Sequence, residues 1–131
     1  MSHITIVDDD AALRMIVRWL LEDAGHIVTE ARTGREAIDL LDDETAQVDL
    51  LLLDLRLPFV DGPHVAHHAR TEPRWSRLPI IILTAGSVGA AESEPWAADV
   101  DGFLQKPFDL DEVSDLIAAT LASAGQHVHA A

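Results

Sequence analysis

The sequence contains no cysteine, which excludes disulfide bridges and thiolate metal sites. Basic residues are also scarce: nine Lys and Arg stand against 23 Asp and Glu, and the formal net charge is −14. A chain with this charge repels phosphate backbones and anionic membranes, so we expect neither nucleic acid nor a membrane among its partners. Only one of the basic residues is a lysine, Lys106.

Long apolar runs and targeting signals are missing as well. No apolar run approaches the roughly 18 residues of a spanning helix, and the first residues lack the basic and apolar regions of a signal peptide. We therefore expect a cytoplasmic protein. The 131 residues, 48% of them hydrophobic, suit one compact domain with a core of its own. We predict a single domain over 1–131, with its core over about 3–124 and a frayed tail at 125–131.

The chain alternates short apolar runs with amphipathic stretches of helical spacing. The apolar runs indicate five buried strands, at 4–7, 26–31, 48–55, 78–85 and 103–105. Thr33 with Glu36, and Asp109 with Glu112, have the spacing of helix-opening capping boxes. Strands that alternate with helices predict a doubly wound α/β domain, in which a five-stranded parallel sheet carries helices on both faces.

The segment that should form the fourth helix does not fit this pattern. It contains Gly86, Gly89 and Pro95 and shows almost no apolar periodicity. We predict that this helix is short or irregular, with a final turn supplied by residues 96–98.

Polar residues follow the ends of four predicted strands. Asp8 and Asp9 follow the first strand, Asp54 ends the third, Thr84 ends the fourth, and Lys106 follows the fifth. Ligands of open parallel sheets bind beyond the carboxyl ends of the strands. Three converging carboxylates would repel one another without a cation, and oxygen ligands suit Mg²⁺. A hydroxyl and an ammonium beside them suit the oxygens of a phosphoryl group, so the set suggests formation of an aspartyl phosphate.

Five short motifs in this order resemble the receiver domain of response regulators in two-component signalling, including the single-domain chemotaxis type. They are residues 7–10 (Val-Asp-Asp-Asp), 53–58 (Leu-Asp-Leu-Arg-Leu-Pro), 61–62 (Asp-Gly), 83–85 (Leu-Thr-Ala) and 106–108 (Lys-Pro-Phe). The resemblance covers nearly the whole chain, and it implies a flavodoxin-like fold with the strand order 2-1-3-4-5.

The resemblance also implies a role for each acidic residue. Asp54 would be the phosphoacceptor. Asp9 and the backbone carbonyl of Arg56 would join it on Mg²⁺, and Asp8 would act on the metal mainly through water.

The remaining motif residues would serve the phosphoryl group and the switch. Thr84 and the Ala85 amide would hold phosphoryl oxygens, and Lys106 would pair with the phosphate. The peptide bond between Lys106 and the following proline would be cis, which directs the lysine inward. Phe103 would be the aromatic that responds to movement of Thr84. Arg56 and Gly86 occupy the two positions that, in this family, control access of water to the phosphoryl group.

By this resemblance the chain takes a phosphoryl group from a histidine kinase or a histidine phosphotransfer protein and then acts on a downstream protein that the sequence does not identify. It would catalyse only its own phosphorylation and dephosphorylation and would not be a conventional enzyme. The last helix, over 109–124, has no Arg or Lys. We therefore expect a monomer or weak dimer and not the charged dimer of winged-helix transcription regulators.

Other interpretations stay open at this stage. Each residue has a structural explanation when taken singly: Asp8 to Asp10 could cap a helix, and Thr84 could be an ordinary strand residue. A pseudo-receiver would keep the fold as an interaction module without phosphorylation. A phosphatase of the haloacid dehalogenase type also uses an Asp nucleophile, but Arg56 stands where its second acid belongs. A helix carrying His64, His67 and His68 could bind a metal at its surface, although a solvated face is the simpler interpretation.

Overall fold

The computed structural model describes the backbone of residues 1–130 and the side chains of residues 1–124. The tail predicted at 125–131 therefore lies outside the described residues, apart from the backbone of the last helix. Five parallel strands form one sheet: β1 (His3–Val7), β2 (Ile27–Ala31), β3 (Leu50–Asp54), β4 (Ile80–Thr84) and β5 (Gly102–Gln105). Their order, β2-β1-β3-β4-β5, confirms the predicted doubly wound topology.

Five helices connect and cover the strands: α1 (Ala11–Asp23), α2 (Gly34–Asp42), α3 (Gly62–Thr71), α4 (Val88–Glu92) and α5 (Leu110–Ala130). Side chains at the N-termini of α1 and α2 cap the start of these helices. Asp10 accepts hydrogen bonds from the amides of Ala12 and Leu13, and Thr33 accepts one from the amide of Glu36. These caps fix where the chain leaves the sheet edge.

The core has two apolar layers, one on each face of the sheet. All five residues of β3 are buried, because this central strand is covered on both sides. Leu51 and Leu53 pack with residues of α2 and α3, whereas Leu50 and Leu52 pack with residues of α1 and α5. The alternation holds β3 rigidly, so the side chain at its end has a defined position.

The fourth helix is short, as predicted. It has five residues, and a 3₁₀ turn over Pro95–Asp99 follows it. Proline opens this turn without losing a needed N–H, and the low apolar content of the segment leaves α4 little surface to bury. Trp96 in the turn packs against Phe103 of β5, with ring centroids 6.1 Å apart.

Candidate functional site

The predicted acidic residues meet at the carboxyl edge of the sheet. Asp8 follows β1 and is fully buried, and Asp54 ends β3 with only 6% of its surface exposed. Asp9 is exposed beside them. Each of the three offers a carboxylate oxygen within 4.8 Å of the other two. The parallel topology therefore brings these carboxylates together as the sequence predicted.

Lys106 completes this cluster from the loop after β5. Its Nζ donates a hydrogen bond to Asp8 Oδ2 at 2.7 Å and lies 3.4 Å from Asp54 Oδ1. The Lys106 amide also donates to the carbonyl of Thr84 at 2.7 Å, and the Lys106–Pro107 peptide bond is cis. The single lysine of the chain thus points inward to the carboxylates, as the motif implies.

Burial and charge shift the protonation of this cluster. Burial, followed by the negative charge of Asp8, raises the pKa of Asp54 to about 6, although Lys106 and the Arg56 amide act in the opposite direction. Burial lowers the pKa of Lys106, but the hydrogen bond to Asp8 and the charge of Asp54 outweigh it, so the net pKa is raised. The ammonium is therefore charged, and Asp54 is ionised at pH 7 but takes up a proton more readily than an ordinary aspartate.

Thr84 lies at the end of β4 with its side chain buried. Its hydroxyl oxygen accepts a hydrogen bond from the Gly86 amide at 3.0 Å, while Ala85 between them is exposed. Phe103 lies on β5 opposite Ile82 of β4, and its ring contacts Trp96. The structure thus places the predicted switch pair on neighbouring strands.

Arg56 lies next to the acceptor. Its backbone amide acts to lower the pKa of the Asp54 carboxyl, and its side chain is exposed. Arg56, Thr84, Gly86 and Trp96 line an open cavity of about 540 Å³. The two positions that the resemblance links to water access therefore border one space beside the candidate site.

Glycine is required where the loop after β3 returns past the site. A Cβ on Gly62 would lie 2.3 Å from the carbonyl oxygen of Asp54, which is a severe clash with backbone. The Gly62 amide donates to the carbonyl of Leu55 at 3.0 Å. This close approach explains the Asp-Gly motif and holds the backbone of the acceptor.

Arg14 is a site residue that the sequence reasoning missed. It is buried in α1, where its Nη1 donates to the Asp8 carbonyl at 2.7 Å and its Nε to Glu30 at 2.9 Å. The signal was present, because Arg14 shares the core-facing spacing of Val17 and Leu21. A charge in that register indicates a buried partner, which here is the segment that carries Asp8.

The three histidines of α3 do not act together. His68 Nε2 lies 2.8 Å from Asp42 Oδ1, and His67 Nδ1 lies 3.4 Å from Asp99 Oδ2. His64 is exposed. The helical spacing alone therefore did not identify which imidazole has acidic neighbours.

This fold, with acidic residues and a lysine at one sheet edge, defines a receiver domain. The family model of the response regulator receiver domain matches residues 4–118. The chain belongs to this family, whose members are signalling modules of two-component systems.

The chain is similar to several characterised proteins. It is 36% identical over 121 residues to the DNA-binding dual master transcriptional regulator RpaA of Synechocystis, covering 92% of this chain and 49% of RpaA. It superposes on the Vibrio cholerae chemotaxis protein CheY4 with a TM-score of 0.84 and 28% identity, covering 92% of this chain and 98% of CheY4. The chain spans about half the length of the first curated relatives it matches.

A third relative was solved with ligands. The response regulator TrrA of Thermotoga maritima, in complex with Mg²⁺-BeF, has a TM-score of 0.80 and 28% identity, covering 92% of this chain and 99% of TrrA. In the present chain the three clustered carboxylates are the donor set that a hard divalent cation prefers. Over the residues that the structure describes, no helix combines the length and hydrophobicity needed to cross a membrane.

Proposed function

We propose that the chain accepts a phosphoryl group on Asp54 from the phosphohistidine of a histidine kinase or phosphotransfer protein. The observation that carries the proposal is the position of this carboxylate: it is buried at the end of β3, beside two further carboxylates and 3.4 Å from Lys106 Nζ. A carboxylate that is held at the end of a buried strand, and that is ionised at pH 7 although its pKa is raised to about 6, suits nucleophilic attack at phosphorus.

We assign Mg²⁺ as the cofactor, held by Asp9, Asp54 and the Arg56 backbone carbonyl, with Asp8 acting mainly through water. Bound Mg²⁺ would neutralise negative charge on the carboxylates and on the incoming phosphoryl oxygens. The mutual approach of the three carboxylates supports this assignment, because the single ammonium of Lys106 offsets only one of their three negative charges.

The transfer is a displacement at phosphorus. An oxygen of Asp54 forms a bond to phosphorus as the phosphorus–nitrogen bond of the phosphohistidine breaks, and the electron pair stays with the imidazole of the donor. Lys106 and Thr84 stabilise the oxygens of the transferred group, together with the Ala85 amide. Hydrolysis by water restores the Asp54 carboxylate and releases phosphate.

The donor requires a surface near this edge of the sheet. Met15 and Trp19 lie one helical turn apart on α1, which begins two residues after Asp9, and they are 65% and 69% exposed. Exposed apolar groups of this size favour contact with another protein. We assign the phosphodonor protein as their partner, because its histidine must approach the same edge.

The phosphoryl group would then act through Thr84 and Phe103. A hydroxyl drawn to the phosphoryl oxygens leaves space that the Phe103 ring can enter, and Trp96 contacts that ring. We propose that this change alters binding of a downstream protein, that the chain works as a monomer or weak dimer in the cytoplasm, and that it is not a conventional enzyme.

The proposal is tested by labelling with acetyl phosphate, a small phosphodonor that needs no docking. We expect acid-labile labelling of the wild type in Mg²⁺, none in excess EDTA, and none in Asp54→Asn. Asp10→Asn is the matched control, because Asp10 caps α1 and keeps its amide-accepting oxygen. Equal labelling of Asp54→Asn would exclude Asp54, and absence of any labelling would favour a non-phosphorylated interaction module.

A further inference from the structure

A second group of possible metal ligands lies away from the phosphoacceptor. Asp42 is the last residue of α2, His68 lies in the last turns of α3, and Glu72 follows α3 directly. One ligand atom of each lies within 4.8 Å of the other two. These residues lie at the C-terminal ends of two helices, and none belongs to the phosphoacceptor site.

The contacts within this cluster leave it rich in negative charge. His68 Nε2 lies 2.8 Å from Asp42 Oδ1, and the His68 side chain is 26% exposed. Among the residues with described side chains, no ion pair involves Glu72. Two carboxylates therefore approach one imidazole in a chain of net charge −14, which favours a bound cation.

The donor types decide which cation is favoured. Zn²⁺ takes imidazole nitrogen and carboxylate oxygen, often as three protein ligands with water in the fourth position. Mg²⁺ prefers oxygen ligands only, so the imidazole separates this cluster chemically from the three aspartates near Lys106. We propose that Asp42, His68 and Glu72 form a Zn²⁺ site that bridges α2 and α3.

The position of the cluster sets what the metal would do. Helices of a parallel α/β fold run back across the sheet, so the C-terminal ends of α2 and α3 lie at the edge opposite to Asp54. Zinc would link two helices that already pack together and would leave the phosphoacceptor accessible. Its effect would be greater stability of the α2–α3 pair, since binding to the native state alone stabilises it.

The simpler explanation is that the contact between His68 and Asp42 is only a hydrogen bond between helices. The chain has seven histidines, so the readout must be specific to the site. We would titrate the full chain with Zn²⁺ in excess Mg²⁺ and record amide nuclear magnetic resonance spectra and calorimetry. We expect saturable binding, with shifts concentrated at 41–43 and 67–73, and a raised melting temperature.

Three variants distinguish the two explanations. Glu72→Gln and His68→Gln keep polar groups at both positions but remove the better zinc ligands, and each should lower zinc affinity about tenfold or more. His67→Ala is the matched control, because His67 pairs with Asp99 and should leave zinc affinity unchanged. Zinc binding that is as tight in Glu72→Gln and His68→Gln as in the wild type would overturn the proposal, as would shifts confined to other segments.

Discussion

Lys106 Nζ lies 2.7 Å from Asp8 Oδ2 but 3.4 Å from Asp54 Oδ1, so the ammonium binds the metal-side carboxylate more closely than the acceptor. A phosphoryl group on Asp54 would bring new anionic oxygens into the same space. Lys106 would then have a stronger partner than Asp8, which makes this ion pair a contact of the unphosphorylated state.

The first prediction concerns this lysine. The positive charge of Lys106 lowers the pKa of Asp54, so Lys106→Met should raise that pKa above its wild-type value of about 6. Carboxyl carbon chemical shifts of the metal-free protein, followed against pH, measure it. An unchanged or lower midpoint for Asp54 would show that Lys106 is not the charge that holds the carboxylate ionised.

The second prediction concerns pH and magnesium. Mg²⁺ binds the ionised carboxylate, and with a pKa of about 6 the ionised fraction of Asp54 falls about tenfold between pH 7 and pH 5. Affinity for Mg²⁺ should fall by a similar factor over this interval. Calorimetric titration at both pH values checks this, and Asp9→Ala should show little binding at either. Equal wild-type affinity at pH 5 and pH 7 would argue against Asp54 as a ligand.

The third prediction concerns stability without metal. The pKa of Asp54 is raised on folding, so its ionised form destabilises the native state; this cost is absent below pH 3.8 and complete above about pH 6. Asp54→Asn should therefore be more stable than the wild type at pH 7 by about 1–3 kcal/mol, and the difference should shrink as the pH falls toward 4. Urea unfolding in EDTA measures the difference, and a less stable Asp54→Asn at pH 7 would contradict it.

How much of this site the sequence could predict depends on the kind of contact. The residues at the strand ends were predictable, because parallel strands place their carboxyl ends at one edge whatever the helices do. The preference of Lys106 for Asp8 over Asp54 was not, because it depends on side-chain distances within that edge. Arg14 and His68 depend on how helices pack against neighbours, which a single helix period does not specify.

The fourth helix also has one feature that the sequence predicts and one that depends on packing. Gly86, Gly89 and Pro95 predicted that it would be irregular, since glycine and proline disfavour helix interiors. That Trp96 turns onto Phe103 follows from the 3₁₀ turn at Pro95–Asp99 and from the position of β5, which only the assembled sheet defines.

The fourth prediction concerns the phosphodonor. Trp19→Ala, and Met15→Ala to a smaller degree, should slow transfer from a histidine kinase several-fold, because they remove apolar surface beside the site. Labelling by acetyl phosphate should stay at the wild-type rate. Ile27→Ala is the matched control, since Ile27 is also exposed but starts β2 at the opposite edge. Loss of both reactions in Trp19→Ala would indicate damage to the site and not to docking.

The fifth prediction concerns the lifetime of the phosphoprotein. Arg56 can cover the phosphoryl group with a long cationic side chain, and Gly86 has no side chain to position water for hydrolysis. A double variant, Arg56→Asn with Gly86→Glu, should therefore lose its phosphoryl group several-fold faster than the wild type. A Cβ at position 86 would meet only Thr84 Oγ1, at an ordinary contact distance of 3.6 Å, so the backbone accepts a side chain there. First-order decay in Mg²⁺ measures both proteins; equal rates would mean that these side chains do not set the lifetime.

Phosphorylation of Asp54 can be tested directly by locating the modified residue. Borohydride reduces an aspartyl phosphate to homoserine, so the phosphoprotein can be reduced, digested and sequenced by mass spectrometry. We expect homoserine at position 54 and aspartate at positions 8 and 9, with no homoserine in a sample treated with EDTA before acetyl phosphate. Homoserine at position 8 or 9, with an intact Asp54, would exclude Asp54 as the acceptor.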